Sequence, residues 1–222
     1  MAKLLISMFL LFFPWKIRRI MFNFLFGYCI HQTAKIGFSI IIPDKLVMGA
    51  NAQIGHLSFC KGLRLLELGD NCIIGNLNWI SGLALNDRKY FQYKNDRNPS
   101  LVLGAHSAVT SRHLFDCTDR VEIGRFSTIA GHGSQFLTHS INLEENKQKC
   151  HGIKIGDFCF VGTASVILSN TELPSYSILG AASLLNKKYF DKYYLYGGVP
   201  ARPIKRLGED WQYFQRTEGV VL

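Results

Sequence analysis

Ile155-Gly156-Asp157-Phe158-Cys159, Val161-Gly162-Thr163-Ala164-Ser165, Ile167-Leu168-Ser169-Asn170-Thr171, Leu173-Pro174-Ser175-Tyr176-Ser177 and Leu179-Gly180-Ala181-Ala182-Ser183 follow one another at a constant step of six residues. Each unit opens on an aliphatic residue (Pro174 and Leu168 stand where the others carry Gly) and closes on a small one four positions later. Working outward, the same unit starts again at Met48, Ile54, Leu68, Ile74, Leu103, Ile123 and Ile129. A fixed short period of this kind is the mark of a solenoid. Each hexad reads as a short strand and a turn, with three hexads to a triangular coil. The aliphatic residue points inward, the small one fills a crowded slot near a corner, and glycine permits the tight turn. Stacked coils then bury one continuous core. Cys72 and Cys159 fall in the small slot, so packing rather than reactivity is expected of both.

Two insertions break the period. Leu68 to Leu103 spans 35 residues and Ile123 to Ile155 spans 32, against 20 from Leu103 to Ile123. The extra residues fall around 82–100 and 140–152, and both stretches are polar, as in Asn86-Asp87-Arg88-Lys89 and Glu144-Glu145-Asn146-Lys147. Loops projecting from a rigid scaffold are where sites are usually built.

The chain has 222 residues, 48% of them apolar, enough for one sizeable core. Its net charge of +9 is uneven: +5 over residues 1–43, +1 over 44–186, +5 over 187–206 and −2 over 207–222. A nearly neutral body argues against nucleic acid as a partner. None of the six cysteines forms a C-x-x-C pair and no N-x-[ST] acceptor occurs, so free thiols in a cytoplasmic protein are expected. Leu4 to Phe13 is an apolar run too short to span a bilayer. Ile17, Ile20, Met21, Phe24, Leu25 and Tyr28 follow at helical spacing, with Arg18, Arg19 and Asn23 on the other side. Either peripheral contact with the inner face of a membrane or packing on the protein satisfies such a helix. Residues 1–35 are therefore expected to form a helical segment, 36–207 the solenoid and 208–222 a tail.

The hexads, with the ending Gly197-Gly198-Val199-Pro200-Ala201-Arg202-Pro203-Ile204-Lys205, resemble the left-handed β-helix acyltransferases. Within that superfamily the chain is most similar to the galactoside/maltose-type and surface-polysaccharide O-acetyltransferases. The resemblance covers about residues 36–207 and includes Thr138-His139 before an insertion. It implies an all-β, left-handed parallel β-helix, a homotrimer, and acetyl-CoA in the cleft between adjacent helices. His139 stands where the family has its catalytic histidine, and an imidazole suits proton removal from an alcohol near neutral pH. By repeat register, the resemblance assigns Phe160, Thr163, Ala181, Asn186 and Lys187 to the pantetheine and nucleotide cleft. Arg202 and Lys205 would meet the CoA phosphates, although the stretch from Lys187 to Tyr196 is longer than the usual connection.

A 20-residue coil offset puts Asp119 one coil below His139, and makes it the first choice to orient the imidazole; Asp116, Glu144 and Glu145 are also near. His113, Asp116 and His132 are expected to contact the acceptor. No metal is expected, because the histidine spacings do not fit the three-histidine zinc set of β-helix carbonic anhydrases. These readings converge on acetyl transfer to a hydroxyl of a sugar or lipid-linked glycan precursor. Transfer to an amino sugar or to serine is the enzymatic alternative, and a trimeric scaffold the non-enzymatic one.

Overall fold

The computed structural model describes residues 2–86, 90–92, 94, 96–219 and 221. Asp87, Arg88 and Lys89 of the first insertion lie outside the described residues. The body is a three-sided parallel β-helix. Its first face stacks seven strands: Cys29–Ile30, Lys45–Met48, Leu65–Leu68, Ser100–Leu103, Arg120–Ile123, Ile153–Ile155 and Thr171–Leu173. The second face stacks nine, from Lys35–Ile36 through Phe160–Val161 and Ile178–Leu179 to Tyr194–Gly197, closed by the antiparallel Arg202–Arg206. The third face stacks seven, from Ile40–Ile42 through Trp79–Ser81, Leu114–Asp116 and Gln135–Leu137 to Leu184–Leu185. The hexads align as the period requires: Met48, Leu68, Leu103, Ile123, Ile155 and Leu173 are in register up the first face. Their side chains and those of the other two columns fill the continuous core.

The small slots are polar as well as small. Between the second and third faces Ser39, Ser58, Asn78, His113, Ser134, Ser165 and Ser183 form a buried column. Up this column Ser58 N–H donates to Ser39 Oγ (2.9 Å), Asn78 N–H to Ser58 Oγ (3.1 Å), His113 N–H to Asn78 Oδ1 (2.9 Å) and Ser134 N–H to His113 Nδ1 (3.2 Å). Each coil thereby satisfies a buried corner amide of the next, which a purely apolar corner would leave unpaired. The unit at Ile129 departs from its expected step: Ser134, not Gly133, takes the slot. The extra residue is accommodated by Gly131 and Gly133 at φ 69° and 75°.

The corner between the first and second faces carries a ladder that the hexads do not announce. Asn51, Asn71, His106, Phe126, Phe158, Tyr176 and Tyr193 all adopt left-handed φ, between 54° and 61°. Their side chains stack outside the core: His106 on Phe126 at 4.8 Å, Phe126 on Phe158 at 4.7 Å, Phe158 on Tyr176 at 5.1 Å and Tyr176 on Tyr193 at 5.0 Å. Stacking offsets the cost of a conformation that L-residues otherwise avoid. The tail, with α3 (Gln212–Gln215), lies along this corner. Phe214 is buried edge-on to Tyr176 and Tyr193, and Gly219 N–H donates to His106 Nδ1 (3.2 Å).

Helices α1 (Ala2–Leu10) and α2 (Trp15–Phe26) close the other end, and the solenoid starts at Cys29 rather than at 36. The helical spacing misjudges which side of α2 packs: Arg18 and Phe22 are buried, while Ile17, Ile20 and Phe24 face outward. The reason is the open strand edge of the first coil. Arg18 donates to Gly37 O (3.1 Å) and Ile36 O (3.5 Å), Trp15 Nε1 to Ala34 O (2.9 Å) and Asn23 Nδ2 to Ile30 O (3.2 Å). Polar side chains are thus drawn inward to pair an edge that would otherwise be unpaired.

Candidate active site

Both insertions leave the solenoid at one corner, where the third face turns into the first. The second is a hairpin of His139–Asn142 against Lys147–Cys150. Its first residue is His139, held over the end of the strand below by Asp116, the last residue of Leu114–Asp116. Asp116 Oδ2 accepts the His139 backbone N–H (3.1 Å) and makes a very short contact with His139 Nδ1. Asp116 Oδ1 accepts the Thr118 N–H (3.1 Å) and hydroxyl (2.7 Å), so both carboxylate oxygens are fixed. Burial raises the Asp116 pKa, but hydrogen bonds from His139 and Thr118 outweigh it and hold the carboxyl below its ordinary value. The same bond, against the opposing effect of burial, raises His139 above the ordinary imidazole value. The His139 side chain is 38% exposed, and with Nδ1 engaged Nε2 is the nitrogen left to act. The pair can take a proton from a bound hydroxyl and hold it.

Asp119, the expected partner, is turned elsewhere: its Oδ1 accepts the N–H groups of Asn98 (3.1 Å) and Arg120 (2.9 Å). The coil offset does not recover the partner: even the 21-residue step that pairs Asp116 with Leu137 leads from His139 to Thr118. Asp116 meets the imidazole because its side chain reaches forward from the end of the strand below. Thr118 was missed, although Asp-x-Thr in a turn is a recognisable signature.

His113 is not available to an acceptor. It is 1% exposed and occupies the slot that Asn78 fills one coil below and Ser134 one coil above. Its Nδ1 accepts from Ser134, so in the neutral ring Nε2 carries the proton and donates to Thr110 Oγ1 (2.9 Å). Burial, with a smaller contribution from His132, pushes its pKa down to about 4. His132 is exposed, but at the opposite edge of the third face from His139. Its backbone N–H donates to Thr163 Oγ1 (3.1 Å) and its carbonyl accepts the Thr163 hydroxyl (2.8 Å).

The residues assigned to the donor cleft divide. Thr163 and Ala181 stack one coil apart at that opposite edge, Thr163 O accepting the Ala182 N–H (2.8 Å). Arg202, paired with Gly197, stands at the same edge above them, and Lys205, paired with Leu195, at the far end of that strand; both are exposed. Asn186 and Lys187 follow Leu184–Leu185 and so lie at the His139 edge instead, with Lys187 over the Tyr189 ring at 5.1 Å. Phe160 points outward from the second face and meets Tyr213 of the tail at 6.1 Å. The two edges are about five residues of extended strand apart, roughly 16 Å.

On the outer surface of the third face, Trp79 and Phe59 form a half-exposed pair with centroids 4.8 Å apart. Trp79 is in register with Leu114, two residues before Asp116 along the strand and one coil below it. Among the described residues no group of three or more His, Cys, Asp or Glu could hold a metal ion.

Neither a protein-family profile nor any curated protein matches the sequence. Solved structures do. The polysialic acid O-acetyltransferase OatWY superposes with a TM-score of 0.63 at 16% identity, over 86% of this chain and 90% of that one. The N-acyltransferase AntD from Bacillus cereus, solved with dTDP-4-amino-4,6-dideoxyglucose and coenzyme A, gives 0.53 at 17% identity over 86% and 89%. A hexapeptide-repeat acetyltransferase from Vibrio cholerae O1 biovar eltor, solved with acetyl coenzyme A, gives 0.51 at 17% identity over 93% and 86%. At these identities the likeness is one of fold: the chain has the left-handed, hexapeptide-repeat β-helix expected from its sequence, the fold these acyltransferases share.

Proposed function

We propose that the protein is an acetyl-CoA-dependent O-acetyltransferase acting in the cytoplasm, as a homotrimer, on a hydroxyl of a sugar or surface-polysaccharide precursor. The observation that carries the reading is the His139–Asp116 pair at the mouth of the hairpin, in a fold shared with enzymes whose acceptors are sugars. Acetyl-CoA would supply the acyl group as a thioester. The small corner at Thr163 and Ala181, below the exposed Arg202, suits a narrow chain ending in a polyanion. His139 Nε2 takes the proton of the acceptor hydroxyl as its oxygen bonds to the acyl carbon. Asp116 is a positioning residue: it keeps the proton on Nδ1 and stabilises the imidazolium. The proton held at Nε2 then passes to the sulfur as the carbon–sulfur bond breaks, returning neutral His139. The roughly 16 Å between the two edges argues for a site shared by neighbouring chains, His139 from one and the Thr163–Ala181 corner from the next.

AntD carries the amine alternative, since the same fold there bears the name of an N-acyltransferase. The test is CoA release from acetyl-CoA across a panel of sugars and amino sugars, beside calorimetric CoA binding. His139→Ala is expected to lower turnover by about 10²- to 10⁴-fold and leave CoA binding within about twofold. An unimpaired His139→Ala enzyme overturns the mechanism, and failure to bind acetyl-CoA overturns the enzyme reading in favour of a scaffold.

A further inference from the structure

The helical hairpin that closes the solenoid carries an apolar face that no element of the described chain covers. Leu5, Phe9, Phe12, Ile20 and Phe24 stand in solvent, Phe12 and Phe24 at 86% and 84% exposure. The packing needs of the hairpin are met on its other side by Leu10, Arg18 and Phe22. Single exposed apolar residues are ordinary, but a contiguous patch of large ones marks a surface that meets something.

Charge identifies the partner. Residues 1–43 hold five cations and no acidic residue. Lys3 and Arg18 are spent on carbonyls of the solenoid end. Lys16 and Lys35 are exposed and Arg19 partly so. Lys16 and Lys35 also flank an open groove of about 760 Å³, whose apolar walls include Trp15, Ile54 and Ile73. A second copy docked on this face by two-fold symmetry would bring these cations toward their own equivalents, like charge against like. Anionic headgroups complement them. The helices have nine and twelve residues, and no described helix is long and apolar enough to cross a membrane. Short helices with an aromatic-rich apolar face and flanking cations lie in the plane of a lipid interface.

We propose that the α1–α2 hairpin docks flat on an anionic lipid surface. Phe12 and Phe24 enter the acyl boundary, while Lys16, Arg19 and Lys35 meet phosphate headgroups. The hairpin closes one end of the solenoid, so the coils stack away from the surface. His139 then stands four coil steps beyond the first coil, roughly 20 Å. This docking does not depend on the acyl-transfer reading, and its test reads no activity.

The full-length protein is floated with vesicles of equal phosphatidylglycerol and phosphatidylcholine, and with vesicles of phosphatidylcholine alone. It is expected to float with the anionic vesicles, and added salt to weaken the association. Phe12→Ser/Phe24→Ser and Lys16→Glu/Arg19→Glu/Lys35→Glu should each reduce the floated fraction at least tenfold. Both sets are surface substitutions, so melting temperature and mass by light scattering should stay at the wild-type values. A wild-type protein that stays at the bottom with both vesicles overturns the proposal. So does a Phe12→Ser/Phe24→Ser variant that floats unchanged. A variant that loses oligomeric mass with no change in flotation assigns the face to a second copy instead.

Discussion

The carboxylate on His139 Nδ1 favours the protonated ring, so the base becomes available only as pH rises through a value above the ordinary 6.5. The acid limb of kcat/KM should therefore lie above 6.5. Asp116→Asn removes that stabilisation, and should move the limb to lower pH while lowering the plateau roughly tenfold to a hundredfold, part of what a general base contributes. Asp119→Asn should leave both within about twofold, since Asp119 pairs with backbone amides. A pH–rate profile of the three proteins checks this, and an equal effect of Asp119→Asn would return it to the catalytic pair. His113, at the other edge of the same face, behaves oppositely. Its folded-state pKa of about 4 lies below the unfolded value, so the unfolded chain binds the extra proton. Stability is then fully present above about 6.5 and lost as pH falls toward 4, by about 3 kcal/mol. Asn78 fills the same slot one coil below, accepting an amide through Oδ1, which makes His113→Asn a compatible replacement. Urea midpoints between pH 7 and 4 should fall less steeply for His113→Asn than for wild type; parallel curves would show that His113 is not the group responsible.

At the scale of elements, the tail gives the sharpest expectation. Among the described residues of the tail, Phe214 is the buried aromatic, set against the ladder corner with Trp211 stacked on it at 6.2 Å. Removing that ring should release residues 208–219 without opening the coils, because local segments unfold below the global free energy. Phe214→Ala is expected to speed limited proteolysis within the tail at least tenfold, with a melting shift well below that of Phe136→Ala, whose ring stacks on Phe115 inside the core at 4.5 Å. Equal melting shifts would mean that the tail is part of the cooperative unit. The tail and the ladder were illegible in the sequence for a physical reason. The hexad signal reports inward columns of period six, while Phe126, Phe158 and Tyr176 sit at turn positions whose neighbours lie one coil away. Where a residue faces inward, as with Met48 through Leu173 on the first face, the sequence pattern read the structure directly. Asp116 stands where Asp119 was expected because its carboxylate reaches forward from a strand end, a side-chain direction on which the period is silent.

For the whole molecule, the decisive question is whether one chain contains a complete site. His139 and Asp116 occupy one edge of the third face, Thr163, Ala181 and Arg202 the other. A rigid parallel sheet separates them, and no side chain reaches across roughly 16 Å of strand. If the site is shared, a chain lacking the histidine still offers a working donor corner to its neighbour. Ala181→Trp, at an exposed small corner position, blocks that corner while sparing the core. Each variant alone, His139→Ala or Ala181→Trp, is expected to be nearly inactive as a homo-oligomer. Unfolded and refolded together in equal amounts, they should regain about a quarter of wild-type activity. Random assembly pairs an intact histidine edge with an intact donor corner at one interface in four. A mixture as inactive as its parents would place donor and base in one chain. That outcome would require the hairpin His139–Cys150 to fold over the third face and bring His139 to the Ala181 edge on its own strand.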